Sequence, residues 1–276
     1  MNRLFVANKP AGLSSNQFLG RLKRKYGEKK AGYSGTLDPF ASGALIVAFG
    51  SYTRLFAYLA KTPKVYRATI WLGAECESGD NEHIARIQKL LPFAPSTVEM
   101  IAHALTGRVK YRPPRFSAKW VDGERAYNLA RAGVKFEMKE CEMEVFYAKI
   151  AHYAHPFLTV ELAVSEGAYV RSWAQLFASR LHVSATLSAL ERLSEGEFKF
   201  ENEKALDPLE YLNLKINKYL ADPENIALGR KLSASDFETS EDGVYLVKGD
   251  SFFSVVEIAQ GTVNYRLNRI ENANTH

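Results

Sequence analysis

From residue 4 to residue 195, strand-like and helix-like segments interleave without a fixed period, and this irregular order is what most restricts the fold. Leu4 to Asn8 reads as a strand stopped by Pro10 and Gly12. Ser14 with Gln17 makes a capping box for a helix through Tyr26, which Gly27 stops. The continuous apolar run from Ala44 to Phe49 reads as a buried strand, and Lys64 to Leu72 alternates as another. Ser96 and Glu99 predict a second capping box, opening a helix that ends near Gly107. Glu124 to Ala132 predicts a short helix stopped by Gly133. Segments near Met143–Tyr153 and Phe157–Ser165 predict a hairpin turning at His155-Pro156, before a helix from Val170 to Leu181 and an extended stretch from Leu187 to Leu193. A doubly wound parallel sheet needs a repeating strand–helix unit, which this order lacks. The pattern predicts an α+β fold with a mixed or antiparallel sheet.

Asp222-Pro223-Glu224-Asn225 interrupts the helical pattern, and the residues beyond it read differently. Gly243 to Ile258 predicts two strands joined by a Lys-Gly-Asp turn, and a third follows around Val263 to Leu267. The expected division is a large α+β body over 1–225 and a small β appendage over 226–276.

Between the first two predicted strands of the body lies Gly32-Tyr33-Ser34-Gly35-Thr36-Leu37-Asp38-Pro39-Phe40-Ala41-Ser42-Gly43. Its glycines permit positive φ or close approach, and Pro39 pushes Asp38 out of the helical region. Two readings stand at this point: an Asx-type turn opening a helix, or a carboxylate presented as a nucleophile.

Charge favours a polyanionic partner. Lys and Arg total 36 against 31 Asp and Glu, a mild excess whose distribution matters more than its size. Residues 21–30 hold six basic side chains just before the aspartate loop, and 108–120 mixes basic with aromatic ones. Either run alone suits a solvated face; together, bracketing Asp38, they suit a nucleic acid better than a membrane. The only two cysteines, Cys76 and Cys141, have no paired spacing, which fits a reducing cytosol. No uncharged apolar stretch is long enough to span a bilayer, and the start does not read as a signal peptide. The expectation is a cytoplasmic protein.

No Walker-type loop or dinucleotide fingerprint occurs, and the His152/His155 pair has no metal-ligand partner at useful spacing. What remains is Asp38 with basic and aromatic side chains. Tyr66 sits in the strand Lys64-Val65-Tyr66-Arg67-Ala68, which could run beside the aspartate loop. Arg171 falls in the first turn of a helix, where the dipole disfavours a cation, so it calls for a nearby anion; Asp38 or a surface carboxylate would serve.

Six segments resemble the TruB-type tRNA pseudouridine synthases, in that family's order, over residues 3 to 195. They are Asn8-Lys9-Pro10-Ala11-Gly12-Leu13-Ser14-Ser15; Gly35 to Gly43; Lys64 to Ala68 with Leu72-Gly73; Pro113-Pro114-Arg115-Phe116-Ser117-Ala118-Lys119; Gly123 to Gly133; and Gly167-Ala168-Tyr169-Val170-Arg171 with Leu190 and Arg192. The resemblance implies the pseudouridine synthase fold: a central mixed, mainly antiparallel sheet flanked by helices, here with a reduced PUA-like, RNA-binding appendage. It implies isomerisation of uridine 55 in the tRNA T-loop to pseudouridine, by base flipping and an aspartate-dependent rearrangement of the glycosidic bond. Asp38 then matches the catalytic aspartate and Arg171 its arginine partner, which keeps it ionised. Tyr66 matches the tyrosine that packs on the base and is implicated in proton removal, and Leu190 matches an apolar wall. Lys9, Lys64, Tyr169 and Asp80 fall where the family contacts RNA or shapes the site. No cofactor, metal or obligatory protein partner is implied, and a monomer is expected.

The chain departs from the family at three places. Tyr33 stands where a T-loop-contacting histidine is usual; a tyrosine can stack in its place but not accept charge, so altered RNA affinity is expected and not lost chemistry. Only Asp80 of Glu75–Asp80 fits the acidic pattern usual after the tyrosine strand, and Glu191 replaces a frequent second arginine. Two competing functions fare worse. An RNA-binding or tRNA-folding protein with an idle site would have lost at least one of Asp38, Tyr66 and Arg171, and all three stand. A glycosidase would need a second acid opposite Asp38, and none is evident.

Overall fold

Alternation in the first strand explains the architecture. In the computed structural model, which describes residues 1–273, Phe5 and Ala7 of β1 (Arg3–Lys9) face one cluster while Leu4 and Val6 face another. Such a strand is covered on both sides, and so is the strand Ser42–Phe49, whose apolar run is buried nearly throughout.

The main sheet has nine strands. Besides β1 they are β2 (Ala31–Ser34), β3 (Ser42–Phe49), β4 (Lys64–Leu72), β5 (Gly107–Tyr111), β6 (Cys141–Ala154), β7 (Phe157–Val164), β8 (Ala185–Glu195) and β9 (Phe198–Lys199). Their order is β1-β3-β8-β4-β7-β6-β5, with β2 on β3 and β9 on β8. Within this sheet, among the described residues, only the β3–β8 contact is parallel, at Glu191–Ser42 and Arg192–Gly43. The mixed, mainly antiparallel sheet expected from the sequence is present, and β6 and β7 form the expected hairpin.

One face carries α1 (Ser15–Tyr26), whose Phe18, Leu19 and Leu22 pack on β1 and β3. Burying each of these contributes roughly 1.5–3 kcal/mol. Ser14 and Gln17 form the expected capping box, and Gly27 ends the helix at φ 67°. The same apolar stripe leaves Arg21, Arg24 and Lys25 exposed.

The largest core cluster packs α2 (Pro95–Ala104) and α4 (Val170–Arg180) against β4, β7 and β8. Here a sequence expectation fails. The second capping box does not form, because Pro95 takes the first helical position; Ala94 is the N-cap and Ser96 lies inside the first turn. The short helix is also trimmed: Glu124–Arg125 pairs with Trp120–Val121, so α3 spans only Ala126–Arg131.

A second sheet of four strands comprises β10 (Lys215–Ile216), β11 (Gly243–Lys248), β12 (Phe252–Ala259) and β13 (Thr262–Glu271). β10 joins β11 in parallel, so strand pairing reaches across residue 225. Leu246, Phe253, Val255, Leu267 and Ile270 of this sheet share one core cluster with Leu4, Val6, Ala44 and Ile46 of the main sheet. Among the described residues, no helix is long and apolar enough to cross a membrane.

Candidate active site

β2 delivers the chain to Gly35 at φ 68°, and the segment that follows is tied down at several points before β3 begins. Ser15 on α1 donates its hydroxyl to Leu37 O (3.0 Å) and accepts from Leu37 N (2.9 Å). Gly12 N donates to Pro39 O at 2.8 Å, and Leu37 and Phe40 insert into the core. Asp38, between these two anchors, keeps 35% of its side-chain surface open, enough to meet a ligand.

Arg171 lies in the first turn of α4 and is 3% exposed. Its Nη2 sits 2.9 Å from Asp38 Oδ2 and donates to Phe116 O at 3.0 Å. Its Nη1 donates to Ser78 O at 2.7 Å and lies 3.9 Å from Asp80 Oδ2. A cation misplaced against the helix dipole is thus held by two carboxylates and two carbonyls. The surface ion pair is excluded.

Withdrawal from water pushes the Asp38 carboxyl above its ordinary value, with Arg171 opposing and Asp80 reinforcing. The guanidinium acts in the expected direction, lowering the pKa and favouring the ionised form, but desolvation outweighs it. A carboxylate less stabilised by water is more basic and a better nucleophile.

Around this pair is a cavity of about 220 Å³, lined by the aspartate loop, Lys64, Tyr66, Tyr169, Leu190 and Arg192 among others. It is smaller than the roughly 300–1,000 Å³ of drug-sized sites, and suits one flat ring. Tyr66 on β4 is opposite Arg192 on β8, and both Tyr66 and Leu190 are largely buried. Tyr169, the N-cap of α4, lies 6.3 Å from the Tyr111 ring, whose hydroxyl donates to Gly167 O at 2.9 Å. Lys64 is also in the wall, with Nζ 3.2 Å from Glu195.

The remaining candidates lie elsewhere. Lys9 has no exposed surface, so it is not placed to contact RNA; its Nζ donates to Leu13 O (2.6 Å), Pro10 O (3.0 Å) and Pro39 O (3.4 Å). Burial lowers its pKa to about 8, against the pull of Asp38. Lys9 therefore ties Pro39 of the aspartate loop to the Pro10–Leu13 turn. Asp80 is buried, accepts from Ser78 Oγ (2.6 Å) and Glu82 N (3.1 Å), and faces Arg171. Tyr33 is half-buried on β2, packed against the cluster that holds Phe5, Leu45, Val47 and Phe49, outside the cavity lining.

Arg192 is a wall residue that the reading of the sequence did not assign to the site. A signal for it existed: it stands two residues after Leu190 on one strand, and i, i+2 positions share a face. The carbonyls of Ser78 and Phe116, which hold Arg171, carry no such signal.

The family model described as "TruB family pseudouridylate synthase (N terminal domain)" matches residues 23–170. Proteins named tRNA pseudouridine synthase B are similar over nearly the whole chain. That of Campylobacter curvus (strain 525.92) is 59% identical over 271 residues, covering 98% of this chain and 99% of its own. That of Sulfurovum sp. (strain NBC37-1) is 51% identical, covering 98% of each. Among solved structures, a Cbf5-Nop10-Gar1 complex matches with TM-score 0.65 at 17% identity, covering 98% of this chain and 84% of the matched one. That likeness shows a shared fold.

Proposed function

The chain belongs to the TruB family of pseudouridylate synthases, and from that premise we propose that it isomerises uridine 55 in the T-loop of tRNA, with Asp38 as the reacting carboxylate. One observation carries the assignment of Asp38: its 2.9 Å ion pair with a buried Arg171 at the wall of a cavity sized for one base.

The uridine is stacked in its loop and must be flipped out, at a cost of a few kcal/mol that phosphate contacts offset. Within the cavity Tyr66 and Leu190 confine the ring, and Arg171 fixes the Asp38 carboxylate. The N1–C1′ bond breaks, the uracil turns while held, and C1′ bonds to C5. The C5 proton leaves and N1 gains one, so the reaction is an isomerisation with no net loss or gain. Asp38 attacks the ribose or the base, or draws a proton from the sugar; all three need the same ionised carboxylate at the same place.

Phosphate affinity belongs to the body over 1–225, which holds 31 basic against 24 acidic residues. Residues 226–276 hold five basic against seven acidic ones, so any RNA contact of the appendage rests on shape more than on charge. We assign the protein to the cytoplasm, acting as a monomer without cofactor or protein partner.

The test is an unmodified tRNA transcript tritiated at uracil C5. Wild-type protein is expected to release tritium to water, while Asp38→Asn binds the RNA and releases none. Release by Asp38→Asn at the wild-type rate would overturn the assignment.

A further inference from the structure

We infer that Glu195 is a positioning residue for Asp38, acting through Arg192 on the first residue of the aspartate loop. The inference rests on Asp38 being the reacting group.

Glu195 ends β8 and has no exposed surface. In a regular strand it would point away from Arg192, because residues an odd number apart face opposite sides. The register between β8 and β4 shifts here: Arg192 is opposite Tyr66, and Ser194 is opposite Val65. The extra residue, Leu193, turns the strand so that Arg192 and Glu195 come to one side. Glu195 Oε1 then lies 2.7 Å from Arg192 Nη2, and Oε2 lies 3.2 Å from Lys64 Nζ.

Neither carboxylate oxygen takes a well-aligned hydrogen bond among the described residues. A buried carboxylate held only by charge is an expensive arrangement, and apolar side chains of similar volume would serve stability as well. What it does provide is a fixed orientation for Arg192. That guanidinium donates from Nη2 to Gly35 O and from Nε to Ala44 O, both at 2.8 Å. These carbonyls stand on either side of the loop that carries Asp38, so Arg192 clamps both ends.

Gly35 reports how close the clamp is. A Cβ there would lie 2.6 and 2.8 Å from the two Glu195 oxygens, and the backbone φ of 68° disfavours any side chain. The carboxylate and the loop backbone are therefore in direct contact. A shift of Glu195 reaches Asp38 through the Gly35 backbone and through the clamp, with no change at the exposed surface that would meet tRNA.

The experiment compares wild type, Glu195→Asp and Glu195→Gln by single-turnover tritium release and by filter binding of the same tRNA, with circular dichroism to confirm folding. Glu195→Asp keeps the charge and shortens the reach; Glu195→Gln keeps the reach and removes the charge. Misplacing a reacting group by about 1 Å lowers rates by about 100-fold. The expected losses are about tenfold for Glu195→Asp and about 100-fold for Glu195→Gln, each with tRNA affinity within about twofold of wild type. If Glu195→Gln does not fold, Glu195→Asp alone decides. A folded variant releasing tritium at the wild-type rate overturns the inference, as does a loss of affinity that matches the loss of rate. Absence of release by wild-type protein would instead overturn the assignment of Asp38.

Discussion

Asp38 Oδ2 and Arg171 Nη2 meet at 2.9 Å although one sits on a strand-to-strand loop and the other in the first turn of α4. Each corrects a local defect in the other: the carboxylate sits in a poorly solvated cavity, and the guanidinium faces the wrong end of a helix dipole. Geometry of this kind makes the chemistry sensitive to the shape of the cation as well as to its charge.

Arg171→Lys retains the charge but not the planar fork that reaches Asp38, Ser78 O and Phe116 O together. Single-turnover tritium release is expected to fall by about 100-fold or more, the scale for removing one preorganised electrostatic partner, with tRNA affinity unchanged. Filter binding beside the rate measurement checks both halves; loss of binding in step with rate would contradict this account.

Because enclosure raises the Asp38 pKa, activity needing its ionised form falls as pH drops through a value above the roughly 3.9 of a free aspartate. Removing the opposing cation should move that limb further up. A pH–rate profile of kcat/KM for wild type and for the residual activity of Arg171→Met tests the sign. An acid limb unmoved or lowered in Arg171→Met would show that the guanidinium does not act on Asp38.

Lys9→Met removes an ammonium that satisfies buried carbonyls, each worth about 1–3 kcal/mol when left unpaired. The variant is expected to melt at lower temperature and to bind tRNA normally. The native lysine also carries a pH signature. Its pKa is about 8 folded against 10.5 when unperturbed, so the unfolded chain holds more protons between those values and stability attributable to this group rises with pH across them. Thermal melts of both proteins from pH 7 to 10 read the difference; a parallel pair of curves would refute the buried-lysine account.

Arg21→Glu with Arg24→Glu reverses two exposed charges on the outer face of α1, away from the cavity. Affinity for tRNA should weaken, and its salt dependence should flatten by about 0.7–0.9 for each phosphate that is no longer neutralised. The rate at saturating tRNA should stay within about twofold of wild type, since these side chains act in binding alone. A full salt slope in the doubly reversed protein would move the phosphate-binding surface elsewhere.

Short windows of sequence determined a good deal of this protein. The capping box at Ser14 and Gln17, the glycine at 27, the hairpin at His155-Pro156 and the alternating strand Lys64–Leu72 all follow from backbone preference and side-chain period, which act over a few residues. The aspartate loop and the anion-seeking arginine were legible for the same reason, and the resemblance over six segments joined them to a chemistry. The errors were local too: Pro95 displaced the cap expected at Ser96.

Only the tertiary structure decided which side chains meet. Nothing near Lys9 announces that its ammonium is buried under the aspartate loop, or near Tyr33 that its ring packs against the cluster of Phe5, Val47 and Phe49. The second sheet reads as an appendage in sequence, yet Phe253 and Leu246 complete the core beneath β1 and β3. Burial and charge pairing depend on the distance between elements remote in the chain, and that distance is set by packing the whole sheet at once, which no local pattern encodes.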